Sequence, residues 1–151
     1  MLRLLILLFL FISFDGLSEP NKLVIELDIK EKKIYLLLIN ESNEVAKIFS
    51  SFVFNDCELK HNFCIEYKNG PSPKEHFIEG GSASKFFNLW PSEIYGKRLS
   101  ESLLERLFPR KWQNSFLEFR VNYFLPELPV VKSKWYRINY PNGNIEAVDE
   151  S

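Results

Sequence analysis

Residues 116–125 read FLEFRVNYFL and show the most regular alternation of apolar and polar side chains in the chain. Every odd-numbered position is apolar, and the even-numbered positions 118, 120 and 122 are polar. Successive side chains of a β-strand point to opposite faces, so this pattern predicts a strand with one buried and one polar face.

Further strands are predicted on both sides of this segment from alternating patterns or short apolar runs. They cover residues 22–30, 34–39, 45–54, 63–67, 76–78, 84–89 and 130–140. One short helix is expected at 100–108, where Ser100 can cap the first turn and Pro109 follows the last. Without a repeated strand–helix unit, these elements predict an all-β fold, an antiparallel β-sandwich.

The first eighteen residues predict export. A basic Arg3 precedes an apolar run that is too short for an ordinary membrane span, and small Gly16 and Ser18 follow it. We expect a signal peptide over residues 1–18, with an uncleaved anchor as the alternative. The mature chain is then a domain at 19–140 and a polar, acidic tail at 141–151 that frays. It is expected to be periplasmic or secreted, without stable membrane insertion.

Cys57 and Cys64 are the two cysteines of the chain. An even count in an exported protein predicts a disulfide, here across a hairpin that turns at Lys60 and His61. A redox or metal pair is the weaker alternative. Redox pairs favour a C-x-x-C spacing, and zinc needs more ligands than two cysteines and two distant histidines.

Composition narrows the function classes. The chain has 151 residues and a formal net charge of −1, with 46% hydrophobic and 26% charged residues. This suits one globular domain and argues against a multidomain enzyme or a disordered chain. A near-neutral charge also argues against a nucleic-acid binder that relies on a broad basic surface.

Signatures of catalysis are missing. Motifs for metalloproteases, serine hydrolases, P-loops and dinucleotide binding do not occur in the sequence. We interpret His61 as a hairpin residue, His76 and Ser82 as loop residues, and Glu101 and Glu105 as one solvated helix face. No catalytic residue, metal site or cofactor is therefore expected.

Two loops are candidates for binding a partner protein. Trp112 lies beside Arg110 and Lys111 in a polar connection, and an aromatic residue next to arginine is typical of interface anchors. Glu127 and Leu128 lie between two prolines in a stiffened loop. The alternatives are a tryptophan that packs over the sheet as a lid, and an ordinary hairpin connection.

The second half resembles a known family. Residues 89–96, LWPSEIYG, resemble the L-x-P-G-E-x-Y-G stretch of small secreted bacterial immunoglobulin-like domains. Residues 119–123 and 131–135 resemble their penultimate strand and their final V-x-S-N-W strand. Ser92 replaces the usual glycine and Lys134 the usual asparagine. The resemblance covers residues 84–138 and implies an immunoglobulin-like fold, but no particular chemistry, because such domains serve as adhesin modules, accessory proteins and inhibitors.

These observations predict an exported, non-enzymatic protein that binds another envelope or secreted protein through loops at one end of the sandwich. An enzyme inhibitor or immunity protein is one specialisation. The alternatives are a structural accessory subunit that pairs a free sheet edge, and a small hydrolase. The sequence leaves the oligomeric state open. Asn40, in the sequon Asn-Glu-Ser, is interpreted as a turn residue.

Overall fold

A computed structural model describes residues 22–30, 33–74, 77–79, 85–108, 116–126, 128–140 and 142–149. The predicted signal peptide at 1–18 and the connection that holds Trp112 lie outside these residues. No helix in the described ranges has the length and apolar character needed to cross a membrane.

The described chain is mostly β-strand with one short helix, so the all-β prediction is confirmed. The strands are β1 (Leu23–Lys30), β2 (Lys33–Asn40), β3 (Ala46–Phe49), β4 (Phe52–Phe54), β5 (Asn62–Tyr67), β6 (Phe77–Glu79), β7 (Phe86–Leu89), β8 (Ile94–Arg98), β9 (Phe116–Phe124), β10 (Val131–Lys132), β11 (Trp135–Asn139) and β12 (Asn144–Val148). Helix α1 spans Glu101–Leu107, and the Ser100 side chain caps it by accepting a hydrogen bond from the Leu103 amide, as predicted.

The strands form three sheets. The large sheet has the order β12-β11-β9-β5-β4-β6, and β10 pairs with one end of β9. The three-stranded sheet has the order β1-β2-β8, and the two-stranded sheet consists of β3 and β7. All strand pairs among the described residues are antiparallel except β4 with β5.

One hydrophobic core joins the three sheets. The apolar face of β9 lies at its centre, where the Tyr123 ring stacks on Phe63 with 4.3 Å between centroids. β1 and β2 contribute aliphatic side chains from the three-stranded sheet, and α1 adds Leu103 and Leu107. Burying these side chains together supplies the main driving force for assembling the sheets.

Tyrosine hydroxyls connect the sheets within this core. The Leu27 amide of β1 donates to the hydroxyl of Tyr136 at 2.9 Å, and the Phe49 amide of β3 donates to that of Tyr123 at 2.8 Å. Burial raises the pKa of both tyrosines, so their hydroxyls stay neutral across the physiological range. Two backbone donors that point away from their own sheets are thereby satisfied.

Two predicted strands are each divided in the structure. The single strand expected at 45–54 is wrong, because β3 and β4 belong to different sheets. The Ser50 amide still bonds the Lys85 carbonyl in register with β3 and β7, but the Lys85 amide donates to the Ser50 hydroxyl, and the Ser50 carbonyl accepts from the Tyr95 hydroxyl instead. The strand expected at 130–140 breaks between β10 and β11. There the Ser133 hydroxyl accepts from the Val121 amide and so replaces a backbone partner.

Two other strands were not expected from the sequence. β8 lies in the stretch that carries the family resemblance, where no strand was predicted. The C-terminal segment expected to fray instead contains β12, which pairs with β11 along its whole length. Gly143 permits this hairpin, because it takes a positive φ of 68° in the connecting turn.

Cys57 and Cys64 form the predicted disulfide, with 5.2 Å between their Cα atoms. The predicted hairpin is wrong. Cys57 starts a single 3-10 turn, Cys57–Leu59, and Lys60 then takes a left-handed conformation that brings the chain back into β5. β5 consequently runs parallel to β4. A disulfide is compatible with an oxidising, exported compartment.

Replacing both cysteines by alanine should lower the free energy of unfolding by about 2.5 kcal/mol, because the unfolded chain regains the entropy of an open loop. Urea unfolding monitored by circular dichroism measures the difference. Reduction should destabilise the wild type to a similar extent and leave the double variant unchanged. Equal stability of the oxidised wild type and the double variant would contradict a stabilising bridge.

Candidate functional site

A cleft of about 390 Å³ opens where β9 ends and the chain turns back into β10. Nine described residues line it, of which seven are apolar and two are lysines. They are Lys22, Leu23, Ala46, Leu125, Leu128, Pro129, Val130, Val131 and Lys132. Leu128, predicted from the sequence as a partner-binding residue, lines this cleft with 37% of its surface exposed.

Exposed apolar side chains lie at the end of the molecule that holds the cleft. Five of the nine large apolar residues that are exposed in the described part of the chain lie at this end: Val45, Trp90, Ile94, Leu128 and Val130. We call these five residues the apolar end. Single exposed apolar side chains are ordinary on protein surfaces, but a concentration of them marks an interaction surface.

Strand register brings these residues to the same end of the molecule. Ala46 lines the cleft and pairs with Leu89. Val45 comes directly before Ala46 and Trp90 directly after Leu89, so both lie just beyond this end of the β3–β7 pair. Leu23, also in the cleft, pairs with Asn40 at the end of β2. The Asn40 amide in turn donates to the Glu93 carbonyl, next to Ile94.

Asn40 holds the loops of the apolar end in place. Its side chain is fully buried, and its Nδ2 donates to the carbonyls of Glu44 and Leu89, both at 2.8 Å. Its Oδ1 accepts from the amide and the hydroxyl of Ser42. The turn predicted at Asn40 is confirmed, and the buried amide is tied to two other segments of backbone.

A tight turn at residues 90–93 presents Trp90 to solvent. The Glu93 amide donates to the Trp90 carbonyl at 3.0 Å, and the Glu93 carboxylate accepts from the Trp90 amide at 2.8 Å. Pro91 and Ser92 form the tip, where Ser92 takes a φ of 65°. Trp90 is 57% exposed, so a large aromatic group projects into solvent from a turn that two hydrogen bonds hold in place.

The outer face of the large sheet carries charges that are matched within the described residues. Arg120 donates two hydrogen bonds of 2.8 Å to the Glu66 carboxylate, and Asn122 adds a third. One row along, Glu118 accepts from Arg137 at 2.6 Å and pairs with Lys68 at 3.1 Å. Such cross-strand charge pairs support a sheet, so we assign this face a structural role.

These pairings lower the pKa of both carboxyl groups. Hydrogen bonds from Arg137 and Lys68 hold the pKa of Glu118 below its ordinary value. Burial alone would raise the pKa of Glu66, but the hydrogen bonds from Arg120 and Asn122 outweigh it, and the pKa of Glu66 is lowered too. Both groups are therefore ionised acceptors at neutral pH, which suits ion pairing rather than proton donation.

Most sequence-predicted partner residues lie outside the described residues: Arg110, Lys111, Trp112 and Glu127. The same holds for His76 and Ser82 among the residues considered for chemistry.

His61 is described and contacts a buried aromatic ring. Its own ring meets Phe49 edge-on, with 5.2 Å between centroids. Within the described residues, no three His, Cys, Asp or Glu side chains cluster as ligands for a metal ion.

Of the five residues of the apolar end, the sequence predicted only Leu128 as a binding residue. The sequence placed Val45 in a predicted strand, and Trp90 and Ile94 in the stretch that carries the family resemblance, without a binding role for any of them. The signal that could have found Trp90 is its place immediately before the Pro91 turn, where a large apolar residue has no strand partner to cover it.

Comparisons with known proteins return no match: no family model, curated protein or solved structure is significantly similar to this chain.

Replacing Asn40 by aspartate should destabilise the fold by about 3 kcal/mol, because a carboxylate oxygen would face the Glu44 and Leu89 carbonyls in place of a donor. Chemical denaturation measures the loss. The control is Asn88→Asp, an exposed position on β7, where a change within about 0.5 kcal/mol is expected. A similar loss of stability at the two positions would contradict the role of Asn40 in holding these loops.

Stability should fall as the pH drops below the unfolded pKa of glutamate, about 4.3. A carboxyl whose pKa is lower in the folded state stabilises the fold above the unfolded pKa, and this contribution is lost as the pH falls through the folded pKa. Glu118→Gln should therefore flatten the dependence of unfolding free energy on pH between about 5 and 2. Arg137→Gln should flatten it in part. A Glu118→Gln profile parallel to that of the wild type would refute this assignment.

Proposed function

We propose that this chain is an exported, non-enzymatic protein with an immunoglobulin-like sandwich, and that it binds another envelope or secreted protein through the loops of the apolar end. The observation that carries the proposal is the group of exposed apolar side chains at the end of the molecule that holds the 390 Å³ cleft. An inhibitor or immunity protein that blocks an enzyme is the specialisation we favour.

The composition of the apolar end suits protein recognition. Binding energy at interfaces concentrates in a few large side chains with polar groups around them, and tryptophan is prominent among these anchors. Trp90 and Leu128 provide two anchors, while Lys22 and Glu41, paired at 3.1 Å, provide charged groups near them. Because Asn40 already fixes the neighbouring loops, binding would cost little additional ordering entropy.

Three observations support the sandwich and the export. Side chains of all three sheets share one core, as packed β-layers do. Ser92 has a positive φ at the position where the resembled family carries glycine, so its backbone conformation matches the family motif. The disulfide between Cys57 and Cys64 suits an oxidising compartment.

Cross-linked pull-down of the tagged mature protein from its own envelope and secreted fractions, read by mass spectrometry, tests the proposal. One stoichiometric enzyme would support an inhibitor or immunity role. A set of structural envelope proteins would instead support the accessory subunit that pairs a sheet edge.

Leu128→Asp should reduce recovery of that partner about tenfold or more, because a charge would replace an apolar anchor. Ile29→Asp is the matched control: Ile29 is 38% exposed against 37% for Leu128, and it lies at the other end of β1 from the cleft residue Leu23. Trp112→Ala tests the second predicted loop. Circular dichroism checks that each variant is folded.

Recovery that is unchanged by both Leu128→Asp and Trp112→Ala would contradict the proposed surface. Equal losses with Leu128→Asp and Ile29→Asp would also contradict it, since the effect would then not be specific to the apolar end.

A further inference from the structure

The cleft beside Leu128 carries charge of a single sign among its described residues. Its wall is aliphatic except for two lysines, Lys22 and Lys132, and no acidic residue belongs to its lining as described. An apolar cleft with a few charged groups at its margin selects ligands by shape and by the position of one opposite charge.

The two lysines differ in whether their charge is already paired with a carboxylate of the protein. Lys22 pairs with Glu41 at 3.1 Å, so part of its charge is already compensated. Lys132 is exposed on β10, and no ion pair joins it to another described residue within 4 Å.

Glu66 is the carboxylate whose ionisation Lys132 favours. That carboxylate already accepts two hydrogen bonds from Arg120 and one from Asn122. Lys132 acts on Glu66 through space, without an ion pair between them, so its ammonium group is left to pair with a carboxylate supplied from outside.

From this arrangement we propose that the cleft receives an aliphatic side chain of the partner protein, followed in the partner's sequence by an acidic residue that pairs with Lys132. This inference rests on the proposed function and specifies the chemistry that the partner presents. The volume of 390 Å³ lies near the lower end of the range of about 300–1,000 Å³ found for binding clefts. It suits one large aliphatic side chain with its adjoining backbone rather than a whole helix.

Four blocked peptides serve as probes: acetyl-Ala-Leu-Asp-amide, acetyl-Ala-Leu-Asn-amide, acetyl-Ala-Leu-Lys-amide and acetyl-Ala-Ala-Asp-amide. Each is titrated into the isotope-labelled mature protein and followed by amide chemical shifts. The Leu-Asp peptide should shift the amides of Leu23, Leu128 and Val131. It should bind about two- to fivefold more tightly than the Leu-Asn peptide, the ratio expected for an exposed ion pair.

Lys132→Gln should abolish the preference for Asp over Asn and leave the preference for Leu over Ala. Lys85→Gln, an exposed lysine before β7 at the end of the β3–β7 pair opposite Leu89, is the matched control and should leave both preferences unchanged. Raising the salt concentration should narrow the ratio of Asp to Asn binding in the wild type.

Equal binding of the Asp, Asn and Lys peptides would overturn the proposal, as would shifts that appear away from the cleft or not at all. These outcomes are distinct from failure of the proposed function. A partner captured by the wild type and lost with Leu128→Asp would keep the function even if the peptides show no preference. Peptide preferences with no captured partner would remove the function.

Discussion

Two tyrosine hydroxyls fix the position of the large sheet relative to the two smaller sheets, and the rest of the structure depends on this position. Tyr136 and Tyr123 belong to the large sheet, and each accepts a hydrogen bond from a backbone amide of another sheet. A hydrophobic core tolerates some sliding of its layers, whereas a buried donor requires its acceptor at one position. The cleft needs this fixed relation, because its walls come from β1, β3 and the turn after β9.

The pattern of the sequence was sufficient for the strands that keep one face in the core. β9 and β1 alternate regularly, and the structure places them within a residue or two of the expected bounds. Prediction failed where a serine hydroxyl takes the place of a backbone carbonyl between two strands. At Ser50 and Ser133 the serine hydroxyl accepts a hydrogen bond from a backbone amide of the neighbouring strand, and hydrophobic periodicity gives no sign of such a bond. β12 was missed because it is an edge strand that pairs with β11 alone and buries none of its residues, so its sequence carries only a weak apolar pattern.

The candidate site could be predicted only in part, because it is assembled from distant segments. Leu128 was identified from the two prolines around its loop, a local signal. Trp90 and Val45 come together only through the pairing of β3 with β7, and no pattern in the sequence specifies which strands pair. The buried amide of Asn40 illustrates the same limit: its sequence signals a turn, but its contact with the Leu89 carbonyl spans forty-nine residues.

The central position of β9 also governs when the protein can fold. β9 joins β5, β10 and β11, yet it begins at Phe116 of 151 residues. A chain that emerges from its N-terminus has to present more than three quarters of its length before the large sheet has its middle strand. Until then β5 has no antiparallel neighbour, and the aromatic rings of β4 and β5 are exposed to other chains. Pairings between strands so far apart in sequence form slowly. The large sheet therefore assembles late and nearly in one step. Until β9 has been synthesised, the unfolded chain needs protection from aggregation.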